Sequence, residues 1–138
     1  MERHFKLTII RGRHPPADIG SDVNRELQWF CTSLGLVGNR DKNLSMFRIF
    51  IAIIKAQQRS SELSSDAIAT ETNLTRATVI HHLSKLQSAG LVREEHERYA
   101  LAVTSTEALV KHLRDEVEQS MAELERVSKR IDEKLGLR

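Results

Sequence analysis

Thr75, Arg76, Thr78, His81 and Lys85 stand close together in the run T-R-A-T-V-I-H-H-L-S-K-L, from Thr75 to Leu86. Each carries hydrogen-bond donors: two hydroxyls, a guanidinium, an imidazole and an ammonium. A guanidinium can give two parallel bonds to a guanine edge, a threonine can reach base or phosphate, and a lysine suits phosphate. The chemistry this set offers is recognition of a polyanion with hydrogen-bonding edges, not bond making. No phosphate-binding glycine loop, metal-ligand cluster or nucleophile–base spacing accompanies it. The sequence therefore points to a non-enzyme with no metal and no cofactor. His81 and His82 are adjacent, so on a helix they do not share a face and make a poor metal pair.

Two short helices must position these groups. The first starts at Ser64, which can cap free backbone N–H groups, with Asp66 at the positive helix end and Leu63 and Ile68 spaced as a hydrophobic staple. Asn73 suits the tight turn that follows. Thr75 caps the second helix, with Leu74 and Val79 as its staple, and Gly90 stops it. Val79, Leu83 and Leu86 recur at helical spacing and should face the core. Ala77, Ile80, His81 and Ser84 then point away, Arg76, Thr78 and Lys85 flank them, and His82 packs at the rim of the core. A hairpin follows. Leu91, Val92 and Arg93 read as its first strand, and Tyr99, Leu101 and Val103 alternate along its second. This order is that of a winged helix-turn-helix. It predicts a mainly α fold with a small β-hairpin wing, whose recognition helix, about Thr75–Ala89, enters the major groove. The candidate DNA-binding residues are Thr75, Arg76, Thr78, Ile80, His81, Lys85, Arg93 and Arg98. The wing tip fits least well, because Glu94, Glu95 and Glu97 would repel phosphate. Three readings stand: a wing too short to reach DNA, contacts from Arg93 and Arg98 alone, or a domain that binds protein.

The segment T-V-I-H-H-L-S-K-L-Q-S-A-G-L-V, Thr78 to Val92, resembles the recognition helix of ArsR-type winged-helix regulators, which often read T-V-S-H-H-L followed by A-G-L-V. Ile80 replaces the small polar residue common there, and an isoleucine can touch a thymine methyl group instead. More broadly the chain resembles archaeal ArsR-like regulators with an N-terminal extension and a long C-terminal helix. That resemblance implies a dimeric, cytoplasmic transcription factor acting on double-stranded DNA. Metal-sensing members carry a cysteine box on the first helix of the motif, and Ser60 to Ala69 has no cysteine. Others place ligands on the last helix, where His112, Asp115 and Glu116 stand here. These three read as a solvated charged surface, since further ligands are needed for a metal.

The remaining segments supply core and partner surface. The chain has 138 residues, a formal net charge of +2 and one cysteine. That suits one domain without a disulfide framework, and no apolar run is long enough to span a membrane. Phe5, Leu7 and Ile9 alternate with polar residues and predict a half-buried strand. Arg11-Gly12-Arg13 before Pro15-Pro16 could lie in a minor groove, but reads better as an exposed loop. A helix capped by Ser21 or Asp22 and ended by Gly35 sets Val23, Leu27, Phe30, Cys31 and Leu34 on one face, with Cys31 as a small buried hydrophobe. A helix over about Leu44–Gln57 is apolar on most sides and should be the central core helix. The last helix opens at a capping box, Thr104 with Glu107, and runs to Leu135 before Gly136. Val110, Leu113, Val117, Ser120, Leu124, Val127 and Ile131 follow in steps of three and four, a coiled-coil seam for a homodimer that should pack against the partner's N-terminal helix as well as against its twin. The organisation expected is an extension over 1–41, a winged domain over 42–103 and a dimerisation helix over 104–138. The leading function is a homodimeric DNA-binding regulator. The alternative is a winged-helix docking module in a larger protein assembly.

Overall fold

The computed structural model describes residues 5–12, 14–17, 20, 22–38 and 44–137. The chain divides into two compact units, residues 1–102 and 103–138. The first holds α1 (Val23–Ser33), α2 (Ser45–Gln58), β1 (Leu63–Ser64), α3 (Ser65–Thr72), α4 (Arg76–Ser88), β2 (Val92–Glu95) and β3 (Arg98–Leu101), and the second holds α5 (Thr106–Leu135).

In the first unit, α2 is the centre of the core. Ile49, Phe50, Ala52, Ile53 and Ala56 are all buried, and α2 packs on α3, α4 and β3. Its β-branched residues still form a helix because burial of this face outweighs their small helix penalty. Phe47, Ile51 and Ile54 are only half-buried, so the helix is not buried on every side as its composition suggested. The Arg48 guanidinium donates to the Thr72 carbonyl at the end of α3, where a positive charge meets the negative end of that helix. Helix α1 begins at Asp22, whose carboxylate accepts from the Arg25 amide at 2.8 Å; Ser21, the other expected cap, lies outside the described residues. After α1 the chain turns at Gly35, at φ 73°, where a Cβ would come within 3.1 Å of Thr8. Cys31 is buried as expected of that face, Leu27, Phe30 and Leu34 are half-buried, and Val23 is exposed; Leu36, beyond the helix, is also buried.

The sheet is small and has the order β1–β3–β2, all antiparallel. Its hairpin is the expected wing with shifted bounds. The first strand starts at Val92 rather than Leu91 and takes in Glu94 and Glu95, which were expected at the tip, and the second stops at Leu101 rather than Val103. The turn is only His96 and Glu97. Strand β1 carries no sequence signal of its own. Two residues are too few for an alternating pattern, yet Leu63 pairs with Tyr99 and Ser64 with Arg98.

The N-terminal strand expected over Phe5, Leu7 and Ile9 does not form. The segment runs irregularly, and its amides bond to helix-end carbonyls: Lys6 donates to Ser88 at 2.8 Å and Ile10 to Ser33 at 2.8 Å. Those carbonyls lack partners within their own helices, so they compete with a strand ladder. Ile9 is 63 % exposed, so the alternation does not mark a buried face. Of Arg11-Gly12-Arg13, Arg13 lies outside the described residues, and Arg11 and Gly12 are exposed coil.

The second unit is one helix. Its cap is Ser105, not Thr104: the Ser105 hydroxyl accepts from the Ala108 amide at 3.1 Å. Ser105 holds the extended backbone of a cap, so the capping box read one residue too early. Gly136 ends the helix at φ 67°. Leu109 and Leu113 are its buried residues, whereas every residue from Glu118 to Leu137 is exposed.

Candidate nucleic-acid interface

The helix-turn-helix is built by three local devices. The Ser64 hydroxyl accepts from the Ala67 amide at 3.1 Å and starts α3. Asn73 ends α3 in the left-handed region at φ 58°, which turns the chain toward α4. The Thr75 hydroxyl accepts from the Thr78 amide at 3.2 Å and donates to the Thr78 hydroxyl at 2.9 Å. The far end of α4 is closed by a Schellman pair: the Gly90 amide donates to Gln87 and the Leu91 amide to Leu86, each at 3.0 Å, with Gly90 at φ 76°.

These devices fix which face of α4 is presented. Val79, Leu83 and Leu86 are buried. Thr75, Arg76, Ala77, Ile80, His81, Ser84 and Lys85 are exposed, and Thr78 and His82 are half-buried. The division of faces is the one the periodicity predicted. Ile80 is 43 % exposed, an apolar spot among donors. The rings of His81 and His82 are tilted by 59°, with centroids 5.5 Å apart.

The arginines have acidic neighbours that sequence reading missed. Arg76 Nε lies 3.4 Å from Asp66 Oδ1, between two strongly exposed side chains. Arg93 Nη1 lies 3.0 Å from Glu62 Oε2 and 3.5 Å from Glu95 Oε2. Both cross-element pairs depend on how α3 meets α4 and how β1 meets the hairpin, and neither is a local spacing. Arg98 is exposed at the root of the turn, opposite Glu95 on one side and Ser64 on the other. Tyr99 is half-buried on β3. Burial first, then the Glu94 and Glu97 carboxylates, push its hydroxyl pKa up, and the Arg76 charge opposes them. The wing and the first turn of α4 therefore share one electrostatic environment.

Other candidates separate from this surface. Burial pushes the Cys31 thiol up to about 12, which suppresses the thiolate that redox chemistry needs. Among the described residues no three His, Cys, Asp or Glu side chains are placed to hold a metal ion, and no helix is long and apolar enough to cross a membrane. The expected dimer seam divides. Leu113 is buried. Val117 is half-buried, while Val110, Leu124, Val127 and Ile131 are exposed.

No curated protein matches the chain. Residues 51–94 match the family model described as bacterial regulatory protein, arsR family. That span begins within α2 and runs through α3 and α4 into β2. Over that span the match and the geometry agree on a winged helix-turn-helix similar to that of ArsR-family DNA-binding regulators.

Proposed function

We propose that the protein is a transcription regulator that binds double-stranded DNA as a homodimer in the cytoplasm, with α4 in the major groove. The observation that carries this reading is the capped, exposed N-terminal half of α4, which presents Arg76, Thr78, Ile80 and His81 on a domain of the matching family. Arg76 reads a guanine edge, Ile80 meets a thymine methyl group, and Thr75, Thr78 and His81 contact bases or phosphate. Lys85, Arg93 and Arg98 grip the backbone. The ion pairs of Arg76 and Arg93 are exposed, and such pairs contribute only about 0.2–1 kcal/mol. Phosphate or a guanine edge can replace Asp66, Glu62 and Glu95 at small cost. The winged domain, residues 42–103, reads DNA, the segment 1–41 extends its packing surface, and residues 104–138 join two copies through Val110, Val117, Leu124, Val127 and Ile131.

The wing supports a second reading. Glu94, Glu95 and Glu97 are all exposed there, which suits docking to a basic protein surface in a larger assembly. One experiment separates the two. Purified protein is titrated with random-sequence duplex across a salt series, and the bound pool is selected. The DNA reading expects an enriched palindrome and a steep salt dependence. It also expects Arg76→Ala to weaken the selected site by about 1–3 kcal/mol, and Lys85→Ala to shallow the salt slope by about 0.9. Affinity unchanged by both substitutions would overturn the placement of α4, and no binding at low salt would favour docking.

A further inference from the structure

We propose that the cavity between the N-terminal segment, α1 and the start of α2 binds a small aromatic carboxylate, and that its occupancy holds the N-terminal segment against the end of α4. The inference does not rest on the DNA reading, and its test uses no DNA.

The cavity measures about 880 Å³, within the range of sites that take a compact organic molecule. Three elements enclose it. From α1 come Arg25, Gln28, Trp29 and Thr32, whose spacing of three and four residues puts them on one side of the helix. Cys31, on another side of α1, is buried. Phe47 of α2 lines the cavity next to them, and Ile10, His14, Pro15 and Pro16 form the facing wall. The two prolines have a fixed φ, so that wall keeps its shape without a helix or sheet to brace it. Arg25, Gln28 and His14 are exposed and stand toward solvent, while Trp29, Pro16 and Phe47 are half-buried and lie deeper.

The lining is polar at the mouth and aromatic inside, and its charge has one sign. None of the described lining residues is acidic. Asp22 and Glu26, the acidic neighbours of Arg25 along the chain, are not among them, and Asp22 is held as the cap of α1. Among the described residues no ion pair forms at Arg25. A guanidinium matches a carboxylate with two parallel bonds. The Trp29 indole offers a face to a flat ring, and Gln28 and Thr32 add neutral hydrogen bonds. A ligand therefore seats ring first, with its carboxylate at the mouth. The facing wall continues a segment pinned at three points. The Ile10 amide donates to the Ser33 carbonyl at 2.8 Å, Thr8 packs on Gly35, and the Lys6 amide donates to the Ser88 carbonyl at the end of α4, also at 2.8 Å. A ligand that needs the wall in place stabilises these contacts by the same free energy with which it binds.

Trp29 is the one tryptophan of the sequence, so its indole N–H gives a single resonance that reports the site. The full chain, isotope-labelled for NMR, is titrated with benzoate, naphthoate and indole acetate, and with the neutral alcohol of each ring. At least one acid should shift the Trp29 resonance saturably, and the alcohol of the same ring should bind about fivefold more weakly, as suits a charge contact at an exposed guanidinium. Arg25→Gln should weaken the acid about fivefold and leave the alcohol unchanged, which a folding defect would not do. With the acid at about ten times its dissociation constant, hydrogen exchange of the Ile10 and Lys6 amides should slow about tenfold, because it proceeds through opening of the wall. These results together support the proposal. No saturable shift with any of the three acids overturns the site. Equal affinity for acid and alcohol, or an acid affinity untouched by Arg25→Gln, overturns the choice of an anion. A shifted Trp29 resonance with unchanged amide exchange overturns the link to the end of α4.

Discussion

The wing tip should be strained, and relieving it should stabilise the whole reading domain. His96 and Glu97 sit at φ 53° and 62°, between the opposed residues Glu95 and Arg98. Two successive left-handed residues in a two-residue loop make a type I′ turn, whose twist suits a hairpin but which favours Asn-Gly. The left-handed region costs an ordinary side chain roughly 1–2 kcal/mol, costs Asn and His less, and costs Gly almost nothing. The double change His96→Asn, Glu97→Gly removes most of that cost at position 97 and a little at position 96. Glycine returns about 0.5–1 kcal/mol through the entropy of the unfolded chain. The amide at position 97 remains, so its bond to the Glu94 carboxylate at 3.1 Å survives. The net gain is about 1 kcal/mol. It should act on the cooperative unit, because β3 carries Ala100 and Leu101 into the core and pairs on both sides. Urea unfolding followed by circular dichroism reads it directly: with a slope of about 2 kcal/mol/M the midpoint rises by about 0.5 M. An unchanged or lower midpoint at unchanged slope would refute the claim of strain. Glu97→Gly alone should give most of the gain.

Gly90→Ala forces a Cβ into the left-handed residue that closes α4, and should lower stability by about 1–2 kcal/mol in the same urea assay. Leu86→Ala empties a fully buried site beneath the exposed face of α4 and should cost about 2–5 kcal/mol, seen as a lower melting temperature. The Cys31 thiol has a folded pKa of about 12 against an ordinary value of 9.0, so the unfolded chain loses its proton first as pH rises. Its contribution is complete below about pH 9 and falls through the window above it by up to about 1.4 kcal/mol per pH unit. Stability measured from pH 8 to 11 should therefore decline more steeply for the wild-type chain than for Cys31→Ala; parallel curves would show that the thiol is not desolvated as its burial implies.

Helix periodicity and caps were legible because they are local. Val79, Leu83 and Leu86 face inward as their spacing requires, and Ser64, Thr75 and Gly90 act where their side chains or lack of one permit. The N-terminal strand was misread because alternation at Phe5, Leu7 and Ile9 says nothing about which acceptors lie nearby, and helix-end carbonyls took its amides. Strand β1 was invisible because its partner lies far along the chain. The Arg76–Asp66 and Arg93–Glu62 pairs escaped for the same reason.

Ser64 belongs to two structures at once. Its backbone ends the strand that pairs with Arg98 on the wing, and its hydroxyl starts the helix that precedes the reading helix. Wing and helix-turn-helix are therefore joined at Ser64, in addition to the packing of β2 on α4 and of β3 on α2. A tilt of the wing drags α3 with it, and a push on α3 is felt at Arg98. On the DNA reading proposed above, a surface joined in this way meets a duplex as a stiff stamp. When the groove and the stamp do not match, the bending falls on the DNA, so the deformability of base pairs that no side chain touches enters the choice of site.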